Sequence, residues 1–200
     1  MQIDQILINL SQQKPFFKSE KEFQNYLGDE IKKNGFVCEK SSNYLGQKVD
    51  ILVKDSSFNV LYAIQLRHKT ALLSMDDGLI RLKNHGAQDQ ARYDFIKDIK
   101  SLENIKKGNT VVKGYSILLT NDSKYWELPA KSNSVDEDFL IYEGKILYGN
   151  LEWSPLASAG TKYKREDKLE LLKQYECRWG TYSKIGEQQN NVFKHLVLEI

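Results

Sequence analysis

Apolar residues at Ile3, Ile6, Leu7 and Leu10 follow the spacing that gathers side chains on one helix face, and the pattern stops before Pro15. A short opening helix is predicted. Ser19 then stands three residues ahead of Glu22, a capping-box spacing, and Phe23, Leu27 and Ile31 form a second stripe that closes at Asn34-Gly35. After Gly35 the texture changes to that of strands, predicted over 36–40, 48–54 and 60–70, with 55–59 as the turn between the last two. LLSM and LIRL flank Asp76-Asp77-Gly78 and suggest a further hairpin. From about Gly86 to Lys107 the helical period returns through Phe95, Ile99 and Leu102. Lys106-Lys107-Gly108-Asn109 supplies a cationic end and a stop. VVKGYSILLT then reads as a buried strand.

Beyond Thr120 the periodicity weakens. Residues 121–134 read as a loop carrying Tyr125 and Trp126, DFLIYEGKILYG as a hairpin turning at Glu143-Gly144, and 154–162 as a loop. Leu169, Leu171, Tyr175, Cys177 and Trp179 alternate with mostly polar neighbours, which favours a strand, and VFKHLVLEI reads as a last one. The order helix, three strands, hairpin, helix, strand describes an α/β domain built on a central sheet. With no repeat and no low-complexity tract, 1–200 is read as a single domain.

Composition narrows the function classes. The chain has 200 residues, 28% of them charged and 40% apolar, the profile of a globular protein able to bury a core without staples. No apolar run approaches the roughly 18 residues of a membrane span, and the N-terminus lacks the basic flank and cleavage site of a signal peptide. A cytoplasmic location and no membrane partner are therefore expected. Two cysteines and three scattered histidines give neither a disulfide framework nor a metal-ligand spacing.

The net charge of +2 argues against a broadly basic nucleic-acid coat, but it conceals an asymmetry. Residues 41–134 carry fourteen Lys and Arg against ten acids, and 135–160 carry one against five. A polyanion should prefer the middle of the chain.

In strand geometry Asp50 points opposite to Val49 and Ile51, while Gln65, Arg67 and Lys69 share one face of the next strand. A charged group inside VDILV is costly to bury unless paired or hydrated, so Asp50 is either a functional carboxylate or a residue at a solvated edge.

Glu20, Val49-Asp50 and Ile64-Gln65-Leu66-Arg67-His68-Lys69-Thr70, in this order, resemble the PD-(D/E)XK nuclease superfamily, the restriction-endonuclease-like fold. More narrowly, the chain is similar to a bacterial family whose third strand reads approximately IELKYKT and whose later helix reads approximately QDxxRYDFxKDI. Gln88-Asp89 and Arg92 to Ile99 match that helix here, and Gly114-Tyr115 to Asn121-Asp122 with Tyr125-Trp126 continue the match. The resemblance covers about 16–126 as a core, leaving 127–200 as a β-rich extension.

It implies metal-dependent hydrolysis of DNA, with RNA not excluded, by Mg²⁺ or Mn²⁺ held on Asp50, Gln65 and Glu20. Many nucleases of this class dimerise to cut both strands, so a homodimer is a further implication, although no interface stripe stands out.

This chain departs from the pattern at two positions. Gln65 occupies the acidic position and contributes no charge, so a metal should be held less tightly. Arg67 occupies the lysine position and cannot serve as a base, yet its fork can stabilise a phosphate. Glu20, Lys69 and Lys48 are the residues able to compensate. Three readings stand: a nuclease with an atypical site at Glu20, Asp50, Gln65, Arg67 and Lys69, a non-cutting module that binds nucleic acid or protein with the same face, and an unrelated α/β protein.

By the resemblance Gln88 and Arg92 contact phosphate at the edge of the site, and Lys48 is a further candidate for binding nucleic acid. Gln88 and Arg92 lie four apart on one helix face, as Asp94 and Asp98 do on another, and ordinary solvated ion pairs are the bland alternative. His68 is expected to pack, and His85 is the better site candidate. Tyr125 and Trp126 either stack on a base or pack at a rim. Lys162, Tyr163, Lys164 and Arg165 form a basic cluster diluted by Glu166 and Asp167.

Overall fold

The computed structural model describes residues 1–74, 81–130 and 133–200. Two helices open the chain, α1 (Ile3–Gln13) and α2 (Glu20–Lys33). Ser19 caps α2 by accepting from the Glu22 amide at 3.1 Å, and the Glu22 carboxylate turns back to accept from the Lys18 amide at 2.6 Å. The expected box therefore closes one residue earlier than its usual form. Gly35 follows with φ of +86°, the left-handed conformation that ends a helix at little cost to a residue without Cβ.

The strands β1 (Val37–Tyr44), β2 (Gln47–Lys54) and β3 (Val60–Lys69) come next, then a two-residue pair, β4 (Leu73–Ser74) with β5 (Arg81–Leu82). The turn expected at Asp76-Asp77-Gly78 lies outside the described residues. Helix α3 (Gln88–Gly108) leads into β6 (Lys113–Thr120). Later come β7 (Ile146–Leu151), the short α4 (Ala159–Lys162), β8 (Leu169–Glu176), β9 (Trp179–Lys184) and β10 (Val192–Glu199).

The main sheet runs β1-β2-β3-β6-β10-β9, with β3 and β6 parallel and the other neighbours antiparallel. The fold is mixed α/β. One face carries Ile51, Val53, Ile64, Leu66, Ile117 and Leu119 against α1 and α2. The other carries Leu52, Ala63, Leu118 and Leu196 against α3 and the β7-β8 pair. The sheet draws on residues from both sides of position 126, because β10 pairs directly with β6. Among the described residues no helix is long and apolar enough to cross a membrane.

Three expectations change, the first at 154–162, where the expected loop contains the helical turn α4 capped by Ser158. The segment 138–149 is not a hairpin: Glu137–Phe139 forms a 3-10 turn, a tight turn at Tyr142–Lys145 uses Gly144 at φ +81°, and β7 pairs with β8 instead. Phe139, Leu140 and Ile141 are all buried in succession, which a half-exposed strand does not allow. The strand predicted over 36–40 runs on to Tyr44, because Lys48 and Val49 offer it a partner beyond Ile51.

Candidate functional site

The site begins where two strands part. The β2-β3 ladder runs from Lys54↔Val60 to Ile51↔Ile64 and goes no further, whereas β3 stays paired with β6 as far as Lys69↔Thr120. From Gln65 onward β3 therefore has a free edge, and its amides need other acceptors. Asp50 Oδ2 accepts from the Leu66 amide at 2.8 Å and Glu20 Oε2 accepts from the His68 amide at 3.0 Å. The two amides are two residues apart and so point to the same edge. Side-chain carboxylates from β2 and α2 thus replace the missing ladder.

A kink at Asp50 sends β2 away. Ser41 and Asp50 drop out of an otherwise regular β1-β2 register, Ser41 takes φ of +54°, and the Asp50 carbonyl accepts from Gln24 Nε2 at 2.6 Å. Alternation fails here: Val49 joins the core on the α3 side and Ile51 the core on the α1-α2 side. The expectation that Asp50 lies opposite both neighbours is corrected accordingly. Gln65 is buried, and its Nε2 donates to the Lys48 carbonyl at 2.6 Å, which closes the gap the kink opens.

Below this gap lies a cleft of about 850 Å³ lined by Glu20, Lys48, Asp50, Gln65 and Arg67, by Asp94, Lys97, Asp98 and Lys100 of α3, and by Asp167 and Lys168. A smaller cavity of about 210 Å³ shares Glu20 and Asp50 with it, so both carboxylates line two adjoining cavities. Burial raises the Asp50 carboxyl above its ordinary range, the Leu66 amide opposes this, and the nearby Glu20 charge adds to it.

Arg67 does not point freely into the cleft. Its Nε and Nη2 donate to Asp98 at 2.6 and 2.7 Å, a bidentate pair across to α3. Burial works against the guanidinium charge, but Asp98 overrides it and holds the group protonated. The Asp98 carboxyl is pushed upward by its own burial, with Arg67 opposing. One turn earlier, Asp94 takes Arg165 in the same bidentate manner at 2.8 and 2.7 Å.

Four sequence candidates, Glu20, Asp50, Gln65 and Arg67, therefore meet in one cleft together with Lys48, and Lys69 does not line it. Gln88 and Arg92 face elsewhere, which corrects their expected reach toward this edge. Gln88 bonds Asp122 at 2.8 Å, Arg92 is buried against Asp136 at 2.5 and 2.7 Å, and both line a separate cavity of about 310 Å³.

His68 packs as expected, its ring against Phe17 and Phe23, with neither ring nitrogen hydrogen-bonded among the described residues. His85 is structural, because its Nδ1 accepts from the Thr70 amide at 3.0 Å. Tyr125 is buried beneath the Arg92 guanidinium, and Trp126 packs on Trp179 beneath Lys194.

Asp98 and Arg165, which the sequence offers only as a solvated helix face and a basic cluster, take part in the restraint of the site. A signal existed: two acids four apart on a helix repel, so Asp94 and Asp98 call for cations from outside it.

Among the described residues no group of three or more His, Cys, Asp and Glu is arranged to hold a metal ion. The donor set still suits magnesium, which keeps much of its water and needs only one or two carboxylates beside a phosphate. Asp50 and Glu20 supply two, each with one oxygen not engaged by β3. Comparison with protein-family models, with curated proteins and with solved structures returns no match.

Proposed function

We propose that this is a nuclease-like protein of the PD-(D/E)XK type, taking a DNA phosphodiester into the cleft and hydrolysing it with Mg²⁺ or Mn²⁺. The observation that carries the reading is the meeting of Glu20, Asp50, Gln65 and Arg67, from α2, β2 and β3, where the strands part and amides of β3 orient both carboxylates. Asp50 and Glu20 would hold the cation, which when bound polarises a phosphate and lowers the pKa of water. Gln65 contributes no charge and braces β2. Arg67 remains a cation at every working pH. Its two bonds to Asp98 use Nε and Nη2, which leaves Nη1 for a phosphate oxygen.

A second reading, a non-cutting module on the same scaffold, is favoured by two bonds. The Lys48 carbonyl at 2.6 Å needs a donor, which Gln65 is and a glutamate is not, and Arg67 is already neutralised by Asp98.

Incubation with plasmid and single-stranded DNA in Mg²⁺ or Mn²⁺ separates them, with an RNA arm beside both. Metal-dependent cleavage lost in Asp50→Ala supports the nuclease. No cleavage alongside salt-dependent binding supports the module. Absence of both removes each reading.

A further inference from the structure

Resting on the reading above, we infer that the cleft recognises duplex DNA by its sugar-phosphate backbone and does not select bases. The exposed part of α3 inside the cleft is a polar stripe, Asp94, Lys97, Ser101 and Asn104, on a helix whose remaining faces are largely buried in the core. At 1.5 Å per residue the stripe extends about 15 Å, enough to follow roughly four base steps of one strand.

Across the cleft Lys48 stands on β2. Lys48 and Lys97 are exposed and make no ion pair among the described residues. Ser101 is oriented by donating to Gln47 Oε1 at 2.9 Å, which leaves the Gln47 amide nitrogen to donate elsewhere. These groups suit phosphate and sugar oxygens, whose contacts set position and carry no sequence.

The cleft also lacks what the alternatives require. Among the described residues its walls contain no aromatic ring, and Leu169 is the one large apolar side chain there, so a single strand finds no platform on which to stack its bases. Arg67 is, among the described residues, the one arginine lining the cleft, and its fork, which could read guanine, is closed on Asp98, as the fork of Arg165 outside the lining is closed on Asp94. Exposing bases to this surface gains nothing, whereas a duplex keeps its own stacking and presents only phosphates.

The test measures fluorescence anisotropy of the full chain with labelled 20-base-pair duplexes of random, A·T-rich and G·C-rich sequence, and with their separated strands, in Ca²⁺ in place of the cations of hydrolysis and at several salt concentrations. Expected are duplex affinities within about threefold of one another and single strands about tenfold weaker. Lys97→Ala and Lys48→Ala should weaken all three duplexes equally and each lower the salt slope by about 1. A preference above about thirtyfold among duplexes, or tighter binding of a single strand, overturns the inference while leaving the phosphodiester reading intact. No binding of any probe overturns both.

Discussion

Gln65 shows how one residue can decide what the site tolerates. Its amide nitrogen lies 2.6 Å from the Lys48 carbonyl, so Gln65→Glu would set two acceptors against each other in a buried place. A loss of about 1–3 kcal/mol is expected in metal-free buffer. A cation that can be shared by the new carboxylate and that carbonyl should restore much of it. Thermal melting with and without Mg²⁺ checks this: the variant should gain more from Mg²⁺ than the parent, and an identical gain would refute the account.

His68 carries the second residue-scale expectation. Burial lowers its imidazole to about 4, so the folded protein holds the neutral ring where the unfolded chain, near 6.5, would protonate. Stability from this residue is complete above pH 6.5 and falls as pH drops toward 4, by ~3 kcal/mol if no other group compensates. Urea denaturation of His68→Phe across this range should show a flatter pH dependence than the parent. An unchanged slope would place the acid sensitivity elsewhere. The packing of His68 was legible from its alternation with Leu66, but its lack of partners depends on Phe17 and Phe23, which only folding brings together.

At the scale of elements, what could be read from the chain was whatever local spacing dictates. The Ser19 cap and the Phe23-Leu27-Ile31 stripe define α2 without reference to anything else, and β2, β3 and β6 follow from runs of apolar and β-branched residues. The segment 138–149 was misread because its first arm is buried by Tyr93 and Trp153 and not by a strand partner. The kink at Asp50 was likewise invisible, since it arises from Ser41 on β1 and Gln24 on α2. The motif residues could be listed from the sequence. Their restraint by α3 could not, because Arg67 and Asp98 are thirty-one positions apart.

That restraint ties β3 to α3 and can be measured. Asp98→Ala leaves a largely buried guanidinium unpaired, at a cost of about 2–4 kcal/mol once the partial exposure of Arg67 is allowed for. Arg67→Met combined with Asp98→Leu removes both charges and should recover most of the loss. A double-mutant cycle of Arg67→Met and Asp98→Leu, each alone and together, by urea denaturation is the check. Additive effects of the two sites would mean that the pair does not couple the elements.

For the whole molecule, the net charge of +2 says less than its distribution, because the cleft is lined by five acids and five bases. Arg67 is spent on Asp98, Lys100 lies against Glu103 and the Glu170 carbonyl, and Lys168 lies 2.5 Å from Glu152, so among the described residues the cleft's free cations sit at Lys48 and Lys97 while Glu20 and Asp50 also line it. A phosphate approaching the strand gap in metal-free buffer is therefore drawn by lysines and repelled by carboxylates. Asp50→Asn keeps an acceptor for the Leu66 amide and removes one negative charge. In EDTA it should tighten DNA binding by about threefold to tenfold, the ~1 kcal/mol of one charge in a partly hydrated cleft. Added Ca²⁺, an oxygen-seeking cation outside the pair proposed for hydrolysis, should strengthen binding by the parent and leave Asp50→Asn nearly unchanged, since one of the two carboxylates offered to the cation is gone. Titration of one duplex by both proteins, with EDTA and with Ca²⁺, gives the four affinities needed. Weaker binding by Asp50→Asn in EDTA would mean that the carboxylate orders the cleft for DNA by itself, and the charge account would fail.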